Sequence, residues 1–163
     1  QNIKIMNCGL SDQIEKRNLS FPYWEKRQFR QLNTGLLSLY GKTNINAENV
    51  KLITLDSFFK NQKFGKNIYV KIDTEGHEFK VLKGSQQFLK QDLDIIIQIE
   101  LNFMIENVLK EDNFKKIINL LTSLDYKAFI IHSNNIKLLE KSEIEDIIIK
   151  KLSLEIYFKK NNK

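Results

Sequence analysis

The segment that most constrains the fold is DIIIQIEL (94–101), in which isoleucine dominates a stretch of strand length. A run of this kind is typical of a strand in a parallel sheet whose two faces are both covered. The strand-like segment NIYVKID (67–73) precedes it, and EFKVLKGSQQFLKQ (78–91) between them has apolar residues at helical spacing. The order strand, helix, strand predicts a right-handed crossover that makes the two strands parallel neighbours.

The segments on either side extend this pattern. IKIMNCGLSD predicts a strand followed by a loop, and VKLITLDSFF predicts a strand and then a short helix capped by Asp56 or Ser57. FMIENVLKEDNFKKIINLLTSLD and SEIEDIIIK predict helices, whereas YKAFIIHS and LSLEIYFKK predict strands. We therefore predict a single α/β domain with a largely parallel sheet over residues 1–158, followed by a basic tail, 159–163.

Charged residues stand at the ends of both central strands. Residues two apart in a strand face the same side, so Lys71 and Asp73 share one face of the first strand, and Gln98 and Glu100 share one face of the second. Parallel neighbours end at the same edge, which is where open α/β sheets bind ligands. Because an unpaired charge is costly to bury, these groups must pair, meet water or contact a ligand.

These charged residues have both a functional and a structural interpretation. In the functional one, a single crevice is lined by Asp73, Glu75, His77, Glu78 and Glu100. In the structural one, Lys71 pairs with Glu100, Asp73 or Thr74 caps the following helix, and His77 lies in solvent. Spacing alone leaves both interpretations open. The spacing matches no strong metal-ligand motif, so we predict no metal site.

Composition restricts the partners. The net charge of +6 invites a nucleic-acid interpretation, but lysine far outnumbers arginine, the residue favoured for phosphate contacts. Nucleic-acid binding is therefore not favoured, although a basic module that binds RNA is kept as an alternative. The single cysteine, Cys8, cannot form an internal disulfide, which indicates a reducing and hence cytoplasmic location. No apolar run is long enough to span a bilayer, and the oligomeric state cannot be read from the sequence.

Several segments, taken in order, resemble the FkbM methyltransferase family. That family has Leu-Asp before a short helix, K-I-D-x-E-G-x-E at a strand end, L-K-G in the next helix and Ile-Glu ending the next strand. The matching segments here are TLDSFF (54–59), NIYVKIDTEGHEFKVLKGS (67–85) and DIIIQIEL (94–101). NTGLLSL (33–39) and CGLSD (8–12) resemble upstream family segments, so the resemblance runs from near residue 3 to about residue 101.

The resemblance implies methyl transfer from S-adenosylmethionine to a hydroxyl group of a sugar or other small-molecule or glycan acceptor. It implies a class I Rossmann-like fold, a mostly parallel sheet with an antiparallel strand near the C-terminus. The family's glycine-rich cofactor loop has no counterpart here, since the chain lacks Gly-x-Gly and begins where the third strand is expected. Gln1 is not an initiator methionine, so we expect an N-terminally incomplete fragment that binds the cofactor poorly. A truncated reading frame that encodes a non-catalytic remnant is the alternative.

The resemblance also implies roles for individual residues. Asp73 or His77 would be the catalytic base, with His77 favoured by its ordinary pKa. Asp73 would also lie near the methyl group and the methionine part of the cofactor. The residues expected near the adenine are Cys8, Gly9, Leu10 and Ser11. The residues expected around the acceptor are Lys71, Glu75, Glu100 and Asn33.

Overall fold

A computed structural model describes residues 3–19, 39–40, 48–60, 62–133 and 135–160 of the chain. Within these ranges the protein forms eight strands and six helices. In chain order they are β1 (Gly9–Leu10), β2 (Glu15–Leu19), β3 (Glu48–Ile53), α1 (Leu55–Phe59), β4 (Asn67–Ile72), α2 (Glu78–Lys83), α3 (Gln86–Leu89), β5 (Asp94–Leu101), α4 (Phe103–Leu109), α5 (Asn113–Ser123), β6 (Tyr126–His132), β7 (Asn135–Leu138), α6 (Lys141–Lys150) and β8 (Leu154–Lys160).

The described strands form two sheets. The smaller has the order β1-β3-β2, with β1 parallel and β2 antiparallel to β3. The larger has the order β4-β5-β8-β6-β7, and among these described strands only the β4–β5 pair is parallel. Because β8 is antiparallel to both β5 and β6, the strands β4, β5 and β6 all run in one direction. The predicted α/β class and the antiparallel strand near the C-terminus are confirmed, but most neighbours pair antiparallel rather than parallel.

One face of the larger sheet carries the core. The strand register places Ile72, Ile99 and Ile156 side by side across β4, β5 and β8, and all three are buried. The same cluster takes in the apolar side chains of the helices, including Val81 from α2 and Leu121 from α5. Each side chain buried in this way stabilises the fold by about 1.5–3 kcal/mol relative to exposure. This packing fixes the helix α2 and the strands β4 and β5 relative to one another.

The other face of the larger sheet is mixed: polar side chains on β4 and β5 lie beside exposed apolar side chains on β6 and β7, where Ile131 pairs with Ile136. The register places Lys71 beside Gln98, and Gln98 beside Tyr157. Tyr69, which is 58% exposed, donates a hydrogen bond to Gln98 Oε1. The prediction that β5 is covered by core on both faces is therefore wrong, because Gln98 and Glu100 interrupt the apolar run on one face.

The strand limits differ from the prediction at both ends of the chain. β1 covers only Gly9–Leu10, and the preceding Ile3 and Ile5 are exposed. β8 continues through Lys159 and Lys160, which the sequence analysis assigns to a basic tail. The Nζ atom of Lys159 lies 3.1 Å from Asp94 Oδ1 on β5, so the lysines here belong to the sheet.

The cap of α1 also differs from the prediction. Thr54 is the N-cap, because its backbone is extended and its Oγ1 accepts a hydrogen bond from the Ser57 backbone N–H at 3.0 Å. The Asp56 carboxylate instead accepts hydrogen bonds from the backbone N–H groups of Gln87 and Phe88, at 3.1 and 2.8 Å. The aspartate of the Leu-Asp motif thus caps α3, far along the chain, and joins it to α1.

Candidate functional site

The ends of β4 and β5 bring two predicted site residues together. The register pairs Ile72 with Ile99, so Asp73 and Glu100 follow side by side at the carboxyl edge of the sheet. Burial raises the pKa of the Glu100 carboxyl group, and the negative charge of Asp73 raises it further. The shared edge expected from the sequence is therefore present, and it is electrostatically negative.

Lys71 pairs with Asp73 rather than with Glu100. Its Nζ atom lies 3.1 Å from Asp73 Oδ2, and both side chains are partly exposed. The hydrogen bond to Asp73 raises the pKa of Lys71, with a smaller contribution from Glu100. The predicted Lys71–Glu100 pair is wrong because the carboxylate two residues along the same strand face is within direct reach.

The chain reaches α2 through a tight loop, residues 74–77. Glu75 and Gly76 both adopt left-handed backbone conformations, with φ of 51° and 99°. A Cβ atom on Gly76 would lie 2.7 Å from Ile105 Cγ2 and 2.8 Å from Leu109 Cδ1. Glycine is required here by both the conformation and the close approach of α4.

Glu78 holds the 74–77 loop closed. It is only 7% exposed, and its Oε1 atom accepts hydrogen bonds from Thr74 N at 2.9 Å, Thr74 Oγ1 at 3.0 Å and Gly76 N at 3.1 Å. The sequence predicts Glu78 only as one member of the crevice. Its position in the first turn of a helix could have indicated this role, because a carboxylate there can accept hydrogen bonds from backbone N–H groups.

Glu75 adds a further carboxylate to the same region. Burial raises its pKa, and the charges of Asp73, Glu100 and Glu78 raise it further, in that order. Four carboxylates therefore influence one another at the end of β4 and β5. A ligand that brings positive charge or hydrogen-bond donors would offset the repulsion between these carboxylates.

His77 lies in the interior, between the 74–77 loop and the loop after β1. Its ring is 1% exposed, with Nε2 3.0 Å from Ser11 Oγ and Nδ1 3.2 Å from Tyr40 Oη. Burial, together with the charges of Lys80 and Arg17, lowers the pKa of His77 to about 4. The ring is therefore neutral at neutral pH, and both of its nitrogens have hydrogen-bonding neighbours rather than facing solvent as the structural interpretation expected.

The loop after β1, residues 11–14, packs against α2. Ser11 is fully buried, with its hydroxyl against His77, and Asp12 Oδ2 lies 2.9 Å from Lys83 Nζ. A Cβ atom on Gly84 would lie only 2.0 Å from the Ser11 carbonyl oxygen. The glycine of the L-K-G segment is thus the point at which the 11–14 loop packs directly against the end of α2.

The other residues predicted beside the adenine are partly buried. Cys8 is a free, half-buried cysteine, and Leu10 packs against the core. A Cβ atom on Gly9 would lie 2.7 Å from Leu52 Cδ2, so β1 approaches β3 closely there. Asn33, predicted on the acceptor side, lies outside the described residues.

A small cavity opens between the 74–77 loop and the helices α4 and α5. Its volume is about 30 Å³, well below the roughly 300–1,000 Å³ of pockets that hold a whole small molecule. The cavity therefore has room for a single functional group. Its lining includes Glu78, Glu100, Glu106 and Asn113, and the rings of Phe103 and Phe114 meet edge to face at 5.2 Å between centroids.

Two cavity residues, Glu106 and Asn113, are not anticipated from the sequence. Glu106 Oε1 accepts a hydrogen bond from the Phe114 backbone N–H at 2.7 Å, and burial raises its pKa. Asn113 is 7% exposed; its Nδ2 donates to the Gly76 carbonyl oxygen at 3.4 Å. Its Oδ1 is buried with no hydrogen-bond partner among the described residues. Neither residue belongs to a motif. Each reaches the site through the packing of α4 and α5, which the sequence does not reveal.

Two further features are not found within the described ranges. No group of three or more His, Cys, Asp or Glu side chains there is arranged to hold a metal ion. In the same part of the chain, no helix has both the length and the apolar character needed to cross a membrane.

The fold and the geometry define an α/β protein with a cluster of acidic side chains at the shared edge of two parallel strands. The family model described as methyltransferase FkbM domain matches residues 1–128, which include the 74–77 loop and the cavity. The chain therefore belongs to the FkbM methyltransferase family, and the predicted resemblance is confirmed. No curated protein and no solved structure matches the chain.

Proposed function

We propose that the protein transfers a methyl group from S-adenosylmethionine to a hydroxyl oxygen of a small-molecule or glycan acceptor. The observation that carries this proposal is the side-by-side position of Asp73 and Glu100 at the carboxyl ends of β4 and β5. Membership of a methyltransferase family supports the reaction type. The strand order β4-β5-β8-β6 supports a class I Rossmann-like fold, because β8, the last strand along the chain, is antiparallel to both of its neighbours.

S-adenosylmethionine, when bound, supplies an electrophilic methyl group on a sulfonium centre. With both reactants bound, the acceptor oxygen would form a bond to that carbon as the carbon–sulfur bond breaks, and S-adenosylhomocysteine would leave. The hydroxyl proton passes to a base on the protein. Such an in-line displacement requires alignment of the two reactants and a base within hydrogen-bond reach.

Asp73 is the proposed base. Its carboxylate is exposed at the strand end and is held by Lys71 at 3.1 Å, so it is accessible to an acceptor. Glu75 and Glu100 are proposed to accept hydrogen bonds from the acceptor. His77 is proposed to position the 74–77 loop through Ser11, because both ring nitrogens already have neighbours in the interior.

The cofactor is proposed to lie between Asp73 and the end of β1. These two segments meet through the contact of His77 with Ser11, at 3.0 Å, so one ligand can bridge them. Cys8 and Gly9 fit the adenine side, since Cys8 is only half-buried. Ser11 fits a supporting role, because its side chain is fully buried.

The test is a binding and turnover measurement on the protein expressed from its complete reading frame. We expect calorimetry to detect S-adenosylmethionine binding, and we expect Asp73→Ala to lower methyl transfer from labelled cofactor by about 100-fold or more. Asp92→Ala, at an exposed position before β5, is the matched control and should retain activity. Full activity in Asp73→Ala removes Asp73 from the reaction, and absence of cofactor binding removes the proposed function.

A further inference from the structure

A chain of hydrogen bonds passes through the buried ring of His77. On one side Ser11 Oγ lies 3.0 Å from His77 Nε2, and on the other Tyr40 Oη lies 3.2 Å from His77 Nδ1. The chain continues beyond Ser11, whose hydroxyl donates to Asp12 Oδ1 at 3.2 Å. Four side chains from three segments of the protein are thus linked in series.

The charge of Asp12 sets the direction of the hydrogen bonds at one end of this chain. Partial burial alone would raise the pKa of Asp12, but the hydrogen bond and the charge of Lys83 lower it overall, so Asp12 is a carboxylate at neutral pH. A carboxylate accepts hydrogen bonds and donates none, whereas a serine hydroxyl has a single proton. The proton of Ser11 is therefore directed at Asp12, and Ser11 Oγ faces His77 as an acceptor.

The ring of His77 then has one arrangement that satisfies both of its neighbours. The lowered pKa of His77, about 4, keeps the ring neutral, so it carries one N–H. That proton lies on Nε2, which donates to Ser11 Oγ. Nδ1 is left as an acceptor for the hydroxyl of Tyr40, which keeps its proton because burial raises its pKa to about 12.

The opposite arrangement requires the Ser11 proton to turn away from Asp12. The hydroxyl would then donate to His77 Nε2, and the ring would carry its proton on Nδ1 and donate to Tyr40 Oη. Hydrogen bonds to an ionised acceptor are roughly twice as strong as those between neutral groups. The first arrangement is therefore favoured as long as residue 12 carries a carboxylate.

We propose that Asp12 is a positioning residue that acts through Ser11 to hold the neutral ring of His77 in its Nε2–H form. The 11–14 loop and the 74–77 loop are then joined by a hydrogen bond with a fixed donor and a fixed acceptor. A second part rests on the proposed function, in which the cofactor lies between Asp73 and the end of β1, the segments that carry these two loops. Asp12 then raises the affinity for the cofactor by fixing the two loops relative to each other.

The test of the first part is nuclear magnetic resonance of the imidazole nitrogens in protein labelled with ¹⁵N at histidine, without cofactor. The chain has two histidines, so the exposed His132 is an internal reference. At about pH 8, where a histidine of ordinary pKa is also neutral, we expect Nε2 of His77 to be the protonated nitrogen. In Asp12→Ala we expect the Nε2 signal to shift toward the unprotonated position and the Nδ1 signal toward the protonated one.

Lys83→Gln is the matched control, because it removes the same ion pair with Asp12 and leaves the carboxylate beside Ser11. Its His77 signals should stay at the native positions. A protonated Nδ1 in the native protein, unshifted signals in Asp12→Ala, or equal shifts in both variants would overturn the role of Asp12 at His77.

Calorimetry with S-adenosylmethionine, on the protein expressed from its complete reading frame, tests the second part. We expect Asp12→Ala to weaken binding about tenfold, as for the loss of one hydrogen-bonded contact, and Lys83→Gln to bind nearly as the native protein does. Native affinity in Asp12→Ala, with its His77 signals shifted, would overturn the second part. Absence of binding in the native protein rejects the proposed function, whereas the result at His77, measured without cofactor, still decides the first part.

Discussion

His77 connects the loop that follows β4 to the loop that follows β1, and its surroundings determine its chemistry. A histidine with an ordinary pKa is a suitable general base, which is why the sequence favours it. Burial against Ser11 and Tyr40 instead lowers its pKa to about 4 and keeps the ring neutral. Asn113 is a second case, since nothing in its sequence context reveals that its amide oxygen is buried without a donor.

The lowered pKa of His77 predicts a specific pH dependence of stability. Below the ordinary value of 6.5 the unfolded chain binds a proton at His77 that the folded protein does not bind until about pH 4. The free energy of unfolding should therefore fall as pH falls from 6.5 to 4, by about 3 kcal/mol from this residue. Urea unfolding across this range should show the decline in the native protein and a smaller one in His77→Gln.

The other histidine, His132, provides the control for this experiment. It lies exposed at the end of β6, so His132→Gln should leave the pH dependence as it is in the native protein. An equally steep decline in His77→Gln would show that another group is responsible.

At the level of helices and strands, local pattern predicts the elements that contribute to the core. β4, α2, β5, α5, β6, α6 and β8 all carry apolar residues at the spacing of their structure, and the sequence predicts each of them. β2 and β7 are not predicted, because EKRNL and NIKL are largely polar or exposed and exist only by pairing with β3 and β6. The alternation of side chains along a strand is enough to predict that Gln98 and Glu100 share one face at the end of β5. The packing of α4 and α5 around the cavity depends instead on contacts between residues far apart in the sequence.

The contact of Gly84 with Ser11 predicts a large effect of one methyl group. In Gly84→Ala the new Cβ would overlap the Ser11 carbonyl oxygen, a backbone atom that cannot rotate away. We expect a loss of about 1–3 kcal/mol in the free energy of unfolding, as for other overpacked sites. The measurement is the urea midpoint.

Gly65→Ala is the matched control for Gly84→Ala. No heavy atom lies within 4 Å of the position that its Cβ would take, so the substitution should be neutral or slightly stabilising. If the two variants are equally stable, the close packing of α2 on the 11–14 loop does not contribute to the fold.

On the scale of the whole molecule, the two sheets are joined by apolar packing, to which Leu10 and Leu55 contribute, and by a few polar contacts. The Ser11–His77 hydrogen bond and the Asp12–Lys83 ion pair link the end of β1 to α2, and the Asp56 carboxylate links α1 to α3. The sequence shows the residue types of these contacts in its motifs. It does not show their pairing, because the partners are 32 to 71 residues apart along the chain.

Removal of one of these links should loosen the smaller sheet selectively. Ser11→Ala leaves a nitrogen of buried His77 without its partner, which costs about 1–3 kcal/mol. We expect faster hydrogen exchange of the amides in β1 and β3, with those of β5 unchanged, as read by mass spectrometry.

Ser123→Ala is the control for this exchange measurement. Its hydroxyl donates to the Leu120 carbonyl oxygen at the exposed end of α5, far from the contact between the sheets. Uniform acceleration across both sheets in Ser11→Ala would contradict a selective link and indicate global destabilisation.

The three hydrogen bonds accepted by Glu78 have a consequence for how the protein could be re-engineered. The 74–77 loop is constrained from within, so its sequence leaves little freedom for change. Residues 102–113 also line the cavity, but the hydrogen bonds of Glu78 do not constrain them. Within this segment Ile105 and Leu109 must be kept, because they pack against Gly76. Grafting this segment from a relative, with those two contacts retained, is accordingly the most direct route to a new ligand preference.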